Sequence, residues 1–94
     1  MNRKEVTESF ASQSKPRGKA SNLYYDGKVA YSYGSHFPLA VITGEKKVTV
    51  NGDKYSSSTS RHQSQMRHAL TQEGYVITEA DTDTMKALAA KARA

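Results

Sequence analysis

The chain predicts an α+β fold, and three observations carry that prediction. Turn signals at Asp26-Gly27, Thr43-Gly44 and Asn51-Gly52 separate short stretches rich in Val, Ile, Thr and Tyr. A hydroxyl-rich run ending at Ser60 opens a segment of helical period that stops at Gly74. A second helical segment closes the chain, acidic at its start and basic at its end. Strands, a helix, a strand and a helix give a small antiparallel β-meander of about four to six short strands. A mid-chain helix at about 61–73 and a C-terminal helix at about 83–93 are expected to pack on one of its faces.

The first twenty residues hold only Val6 and Phe10 as sizeable apolar groups and carry five Lys or Arg against two acids. They read as a flexible basic arm with at most one frayed helical turn near Arg3 to Phe10, and residues 21–94 read as a single α+β domain. Leu23-Tyr24-Tyr25 and Lys28 to Tyr33 flank Asp26-Gly27, which supplies the positive φ of a two-residue hairpin. By period two, Val29, Tyr31 and Tyr33 share one strand face, and Ala30 and Ser32 the other. Pro38 belongs at a strand start or edge because it cannot donate to a ladder. Leu39 to Thr43 is apolar on both faces and reads as the most buried strand. Val48 and Val50 alternate with Lys47, Thr49 and Asn51. Asn51-Gly52 is the strongest hairpin signal, and Lys54-Tyr55-Ser56 is expected to return as a short strand. Ser60 and Gln63 fit a capping box. Met66, Ala69, Leu70 and Glu73 share a flank with His62, while Arg61, Gln65, His68 and Gln72 form a polar stripe. Tyr75 to Thr78 reads as one more strand, and Asp81 and Asp83 open the last helix, whose apolar side is Met85, Leu88, Ala89 and Ala92.

Ninety-four residues allow one small domain. The absence of Cys excludes disulfides and thiolate metal sites. No apolar run approaches the roughly 18 to 20 residues that span a bilayer, and Met1 to Glu5 precedes no apolar block, so no membrane segment or secretory signal is expected. The formal charge of +5 favours acidic partners. A small core with strand edges allows a homodimer.

Three groups of residues could carry function. The run Ser56 to Ser60 leading into Arg61 offers hydroxyls, free helix amides and a guanidinium to a phosphate, although Ser and Thr are also ordinary capping residues. The stripe Arg61, Gln65, His68 and Gln72 has residue types that read base edges, without the upstream helix that a helix-turn-helix requires. Tyr24, Tyr25, Tyr31 and Tyr33 crowd two paired strands, where an exposed ring could stack a base or anchor a protein. His36 and His62 could meet as an acid–base pair for RNA cleavage, but nothing in their spacing requires it. No G-x-S-x-G or P-loop pattern is present, and His62 and His68 are six apart, which places them on different helix faces. No catalytic residues, metal or cofactor are therefore assigned.

The blocks Tyr31 to Ala40 and Asn51 to Ser64 resemble a family of small uncharacterised proteins from bacteriophages and mobile elements, over roughly Leu23 to Leu70. The resemblance implies a viral or prophage origin and residence in the cytoplasm of a bacterial host. It brings no activity and transfers no functional residue. Small phage proteins of this kind often bind host machinery, including immune nucleoprotein complexes. The expected role is a non-enzymatic binding protein that engages nucleic acid or a host nucleoprotein complex, with inhibition of host defence as the purpose. The alternative is a purely protein-directed inhibitor using the Tyr-rich sheet, and a His-dependent ribonuclease ranks below both. Lys46, Lys47, Lys54, Ser60, Arg61 and Arg67 are expected to contact phosphate or acidic groups, with Tyr31, Tyr33, His36 and His62 shaping the surface.

Overall fold

Six strands lie side by side in the order in which the chain makes them. The structure, a computed structural model, describes residues 1–34, 37–54 and 57–93, the side chains of Ser58 and Arg93 excepted. Its elements are α1 (Arg3–Ser12), β1 (Arg17–Ala20), β2 (Leu23–Asp26), β3 (Val29–Ser32), β4 (Pro38–Gly44), β5 (Lys47–Asn51), α2 (Ser57–Gln72), β6 (Val76–Ala80) and α3 (Thr82–Arg93). The sheet order is β1-β2-β3-β4-β5-β6. Five strands form the expected antiparallel meander, and Gly27 takes φ 60° in the hairpin between Asp26 and Val29. Pro38 opens β4, beside a register shift that spares it a ladder donor. Leu39 to Ile42 are buried between β3 and β5, as expected of the central strand, while Thr43 is exposed.

Residues 1–20, expected to be a flexible arm, instead form α1 and β1. Asn2 Oδ1 accepts from the Glu5 amide at 2.8 Å, and Glu5 Oε1 accepts from the Asn2 amide at 3.1 Å, closing a reciprocal cap. Val6 and Phe10, one turn apart, are fully buried, and Phe10 meets Tyr25 edge to face with centroids 5.3 Å apart. The Tyr25 hydroxyl donates to the Lys15 carbonyl at 3.0 Å, so its contact with Ser9 Oγ at 2.5 Å is one in which Ser9 donates. Two well-spaced apolar groups suffice here because the helix packs on α2 and on the outer strands rather than standing alone. As an edge strand, β1 tolerates Arg17 and Lys19, which is why it does not show in the hydrophobic pattern.

The helices do not share one face. α1 and α2 cover one side of the sheet, with Leu23, Tyr25, Ala30, Leu39, Val48 and Val50 beneath them. α3 covers the other, where Met85 and Ala89 pack on Val29, Tyr31 and Val41. That second face is apolar by strand alternation and cannot be left wet. Thr49 and Asn51, expected on a polar face, are buried for the same reason.

The C-terminal half departs from a pure meander as well. β6 lies parallel to β5, with Lys47 beside Val76 and Asn51 beside Ala80. The sixteen residues of α2 span about 24 Å and return the chain to the end where β5 began, so the next strand must run alongside it. Asn51-Gly52 therefore leads into a crossover and forms no hairpin. Asn51 Oδ1 instead accepts from the Asp53 amide at 2.9 Å, a side-chain turn, and Gly52 donates to the Ala80 carbonyl at 2.9 Å. A Cβ at Gly52 would fall against the Glu79 side chain. Lys54 is in no strand, and Tyr55 and Ser56 lie outside the described residues. α2 starts at Ser57, so Ser60 sits inside the helix, and Gln63 makes no capping box. Its Nε2 donates to the carbonyls of Asn51 at 2.8 Å and Asp53 at 2.9 Å. The last helix starts as expected: Asp81 Oδ1 accepts from the Thr84 amide at 2.8 Å.

Candidate nucleic-acid interface

This topology brings the start of every helix to the end of the sheet marked by Asn51. Asn2 and Arg3 lie beside the Ala20-Ser21-Asn22 turn. The first turns of α2 rest on Ser32 through Thr59 and His62. Thr82 accepts from Asn51 Nδ2 at 3.1 Å, and its amide donates to Asp53 at 2.8 Å. The two sequence blocks singled out above, 31–40 and 51–64, meet here: Asn51 Nδ2 also donates to the Pro38 carbonyl at 2.9 Å.

A buried polar contact fixes the junction. Ser32 Oγ lies 2.8 Å from His62 Nδ1 and 3.3 Å from Thr59 Oγ1. Ser32 and Thr59 are fully buried and His62 is 2 % exposed. Strand parity aims Ser32 away from Tyr31 and toward α2, and the flank shared by His62, Met66, Ala69 and Leu70 aims the imidazole at the sheet. Burial, and then the nearby Arg3 guanidinium, hold His62 below its ordinary value of 6.5, so it is neutral at physiological pH.

Tyr33 completes the junction. Period two places it with Val29 and Tyr31, on the α3 side. Its φ of 63° turns the chain, and its ring instead stacks on His62, on the opposite side of the sheet, with centroids 5.8 Å apart and planes 25° apart. Its amide donates to the Asn22 carbonyl at 2.8 Å. The residue remains 38 % exposed.

Two clefts open on this surface and share Arg3. One, of about 380 Å³, is lined by Met1, Asn2, Arg3, Ala20, Ser21, Asn22, Tyr33 and His62. The other, of about 330 Å³, lies between Arg3, Ser60, Arg61, Ser64 and Gln65. Neither lining includes a carboxylate. Among the described residues the ion pair is Arg67–Glu79, so neither Arg3 nor Arg61 is neutralised by one.

The expected binding residues are thus divided. Ser60, Arg61, Tyr33 and His62 lie together at the Asn51 end, and Lys54 is exposed in the segment that leads into α2. Lys46 and Lys47 lie at the opposite end of β5, where Lys46 Nζ sits 5.0 Å from the Tyr75 ring centroid. Arg67 faces β6 and pairs with Glu79 at 2.5 Å. Tyr31 is buried under α3 and stacked on the half-buried Tyr24 with centroids 5.1 Å apart, so it offers almost no surface of its own. His36 lies outside the described residues, as does any contact between it and His62. The stripe Gln65, His68 and Gln72 lines a groove of about 410 Å³ shared with Lys4, Thr7 and Glu8 of α1.

Sequence reasoning missed Arg3, Asn22 and Ser32. The Asn2-x-x-Glu5 capping signal was available for the first and would have placed Arg3 on a helix. No local signal marks Ser32, because its partners lie about thirty residues on.

Among the described residues there is no group of acids and histidines able to hold a metal ion, and no helix is long and apolar enough to cross a membrane. Comparison with protein-family models, curated proteins and solved structures finds no match. The fold and this surface define the chain only as a small α+β protein with two arginine-bearing clefts whose linings hold no carboxylate.

Proposed function

We propose that the chain is a non-catalytic binding protein that engages nucleic acid, free or within a host nucleoprotein complex, through the face formed by the starts of α1 and α2. One observation carries this reading: Arg3 and Arg61, from elements nearly sixty residues apart, line two clefts that share Arg3, with hydroxyls and no carboxylate in either lining. Guanidinium forks flanked by hydroxyl donors suit phosphate oxygens. A phage-type protein in a bacterial cytoplasm would meet such partners among host nucleic acids and the complexes that guard them, and interference with host defence fits that setting. The test is a titration of labelled DNA and RNA at low and rising salt. Binding should weaken steeply with salt as contacts to phosphate release counterions. The pair of changes Arg3→Ala and Arg61→Ala should lower affinity by about tenfold or more, while Lys46→Ala with Lys47→Ala, at the far end of the sheet, should change it far less. No binding to any DNA or RNA at low salt, or equal loss from both pairs, would refute the assignment of this face.

A further inference from the structure

The same face carries an aromatic group that phosphate binding does not use. Tyr33 is a non-glycine residue in the left-handed region, φ 63°, directly after the buried Ser32. A Tyr placed there costs conformational energy that a Gly or Asn would not incur. Three contacts hold it in place. Its amide donates to the Asn22 carbonyl at 2.8 Å, its ring stacks on His62, and His62 is pinned by Ser32 at 2.8 Å. The ring is therefore fixed against a buried imidazole, yet the residue keeps 38 % of its surface open, one of three large apolar residues so exposed among those described. It lines the cleft whose other wall is Arg3, and Arg3 borders the cleft of Arg61.

We infer that this surface takes single-stranded nucleic acid, with an unpaired base stacked on Tyr33 and the adjoining phosphates held by Arg3 and Arg61. The inference rests on the functional reading above and adds the strand state of the ligand. A ring held by stacking loses little freedom when a base is laid beside it, and every base offers a π-face. A duplex keeps its bases stacked on one another and presents none to a ring set inside a cleft beside cations. A neutral His62 adds no charge of its own, and the side-chain cations of the two linings are Arg3 and Arg61. A base on Tyr33 and its phosphates can then be met together.

The experiment measures the full chain by fluorescence anisotropy against a short labelled oligothymidylate and a duplex of equal length, at one low salt concentration. The single strand should bind about tenfold tighter or more, and Tyr33→Ala should lower its affinity by about five- to a hundredfold, the range of a lost base stack. Tyr33→Phe should keep most of it, because the ring and not the hydroxyl is the platform. Emission of a strand carrying 2-aminopurine should be quenched on binding to the wild type and to Tyr33→Phe, which reports stacking even if Tyr33→Ala folds poorly. Equal or tighter binding of the duplex, with sensitivity to Arg3→Ala and Arg61→Ala retained, overturns the stacking inference and leaves the phosphate-binding reading standing. Single-strand preference without 2-aminopurine quenching also overturns it. No binding of either probe ends both readings.

Discussion

The two faces of the sheet are covered unequally, and the inequality separates the part that holds the protein together from the part that can meet a partner. The buried cluster that α1 and α2 form with the sheet holds sixteen of the described residues, and the one that α3 forms with it holds five. On the larger face the buried contacts of Ser9 with Tyr25 and of Ser32 with His62 and Thr59 each tie a helix to a particular strand, while on the α3 side Asn51 reaches Thr82 at the helix start and the Pro38 carbonyl. Between its neighbours, α3 contributes Met85, Leu88 and Ala89 and closes over Tyr24, Tyr31 and Val41. A polar contact inside a large core is directional and fixes the relative placement of its elements, whereas an apolar layer mainly excludes water. The candidate surface emerges where the directional contacts reach the rim. The α3 face should therefore contribute stability without specificity.

The strongest way to break this contrast is a pair of truncations. Phe10→Ala removes the ring that joins α1 to Tyr25 and should cost about 3–5 kcal/mol, whereas Met85→Ala on the smaller face should fall near the low end of about 2–5 kcal/mol, Met being adaptable. Urea denaturation measures both. Equal costs, or weakened nucleic-acid binding from Met85→Ala at conditions where it remains folded, would show that the faces are not divided in this way.

A smaller effect belongs to the polar junction. Ser32→Ala leaves the buried His62 Nδ1 without its partner and should destabilise by about 1–3 kcal/mol. The same histidine gives a pH signature. Because its folded value lies below 6.5, the unfolded chain takes up a proton that folded His62 refuses. Its contribution to stability is complete above 6.5 and declines as pH falls through 6.5 toward the depressed value. His62→Gln should flatten that decline in denaturation midpoints taken on either side of pH 6.5. An unchanged profile would mean that the ring is not desolvated as described.

The smallest effect sits at the start of α3. Hydrogen bonds from Thr84 hold the Asp81 carboxyl below its ordinary 3.8. Its cap is complete above that value and is lost as pH falls through the lowered one. Asp81→Asn should remove this acid dependence, read as exchange protection at the Thr84 and Met85 amides, and leave the α1 and α2 face untouched. A global loss of protection would show that α3 is more than a cover.

Much of the fold is legible in the chain because it depends on local rules. Gly27 marks its hairpin, Pro38 its strand start, Gly74 the end of α2 with φ 81°, and Asp81 the start of α3. Where local rules mislead, the cause is tertiary. The first helix has too few apolar residues to announce itself, yet Val6 and Phe10 find a prepared groove. Asn51-Gly52 carries a hairpin signal, but Asn satisfies turns by its side chain as well as by its backbone, and here the side chain makes the turn. Of the expected binding residues, Arg61, Tyr33 and His62 do gather at one surface, because the helix and strand that bear them are tied by Ser32. Lys46 and Lys47 do not, because they sit at the other end of β5.

The amino-acid order alone determined the element types from Leu23 onward, the antiparallel hairpins and the cationic excess, all of which follow from periodicity, turn chemistry and charge within a few residues. Only the tertiary structure decided which face each helix would cover, that β6 would run parallel to β5, and that Arg3 would stand beside Arg61. Those outcomes depend on how far a helix carries the chain and on which apolar surfaces remain to be covered once the strands have paired, and no short window of sequence contains either quantity.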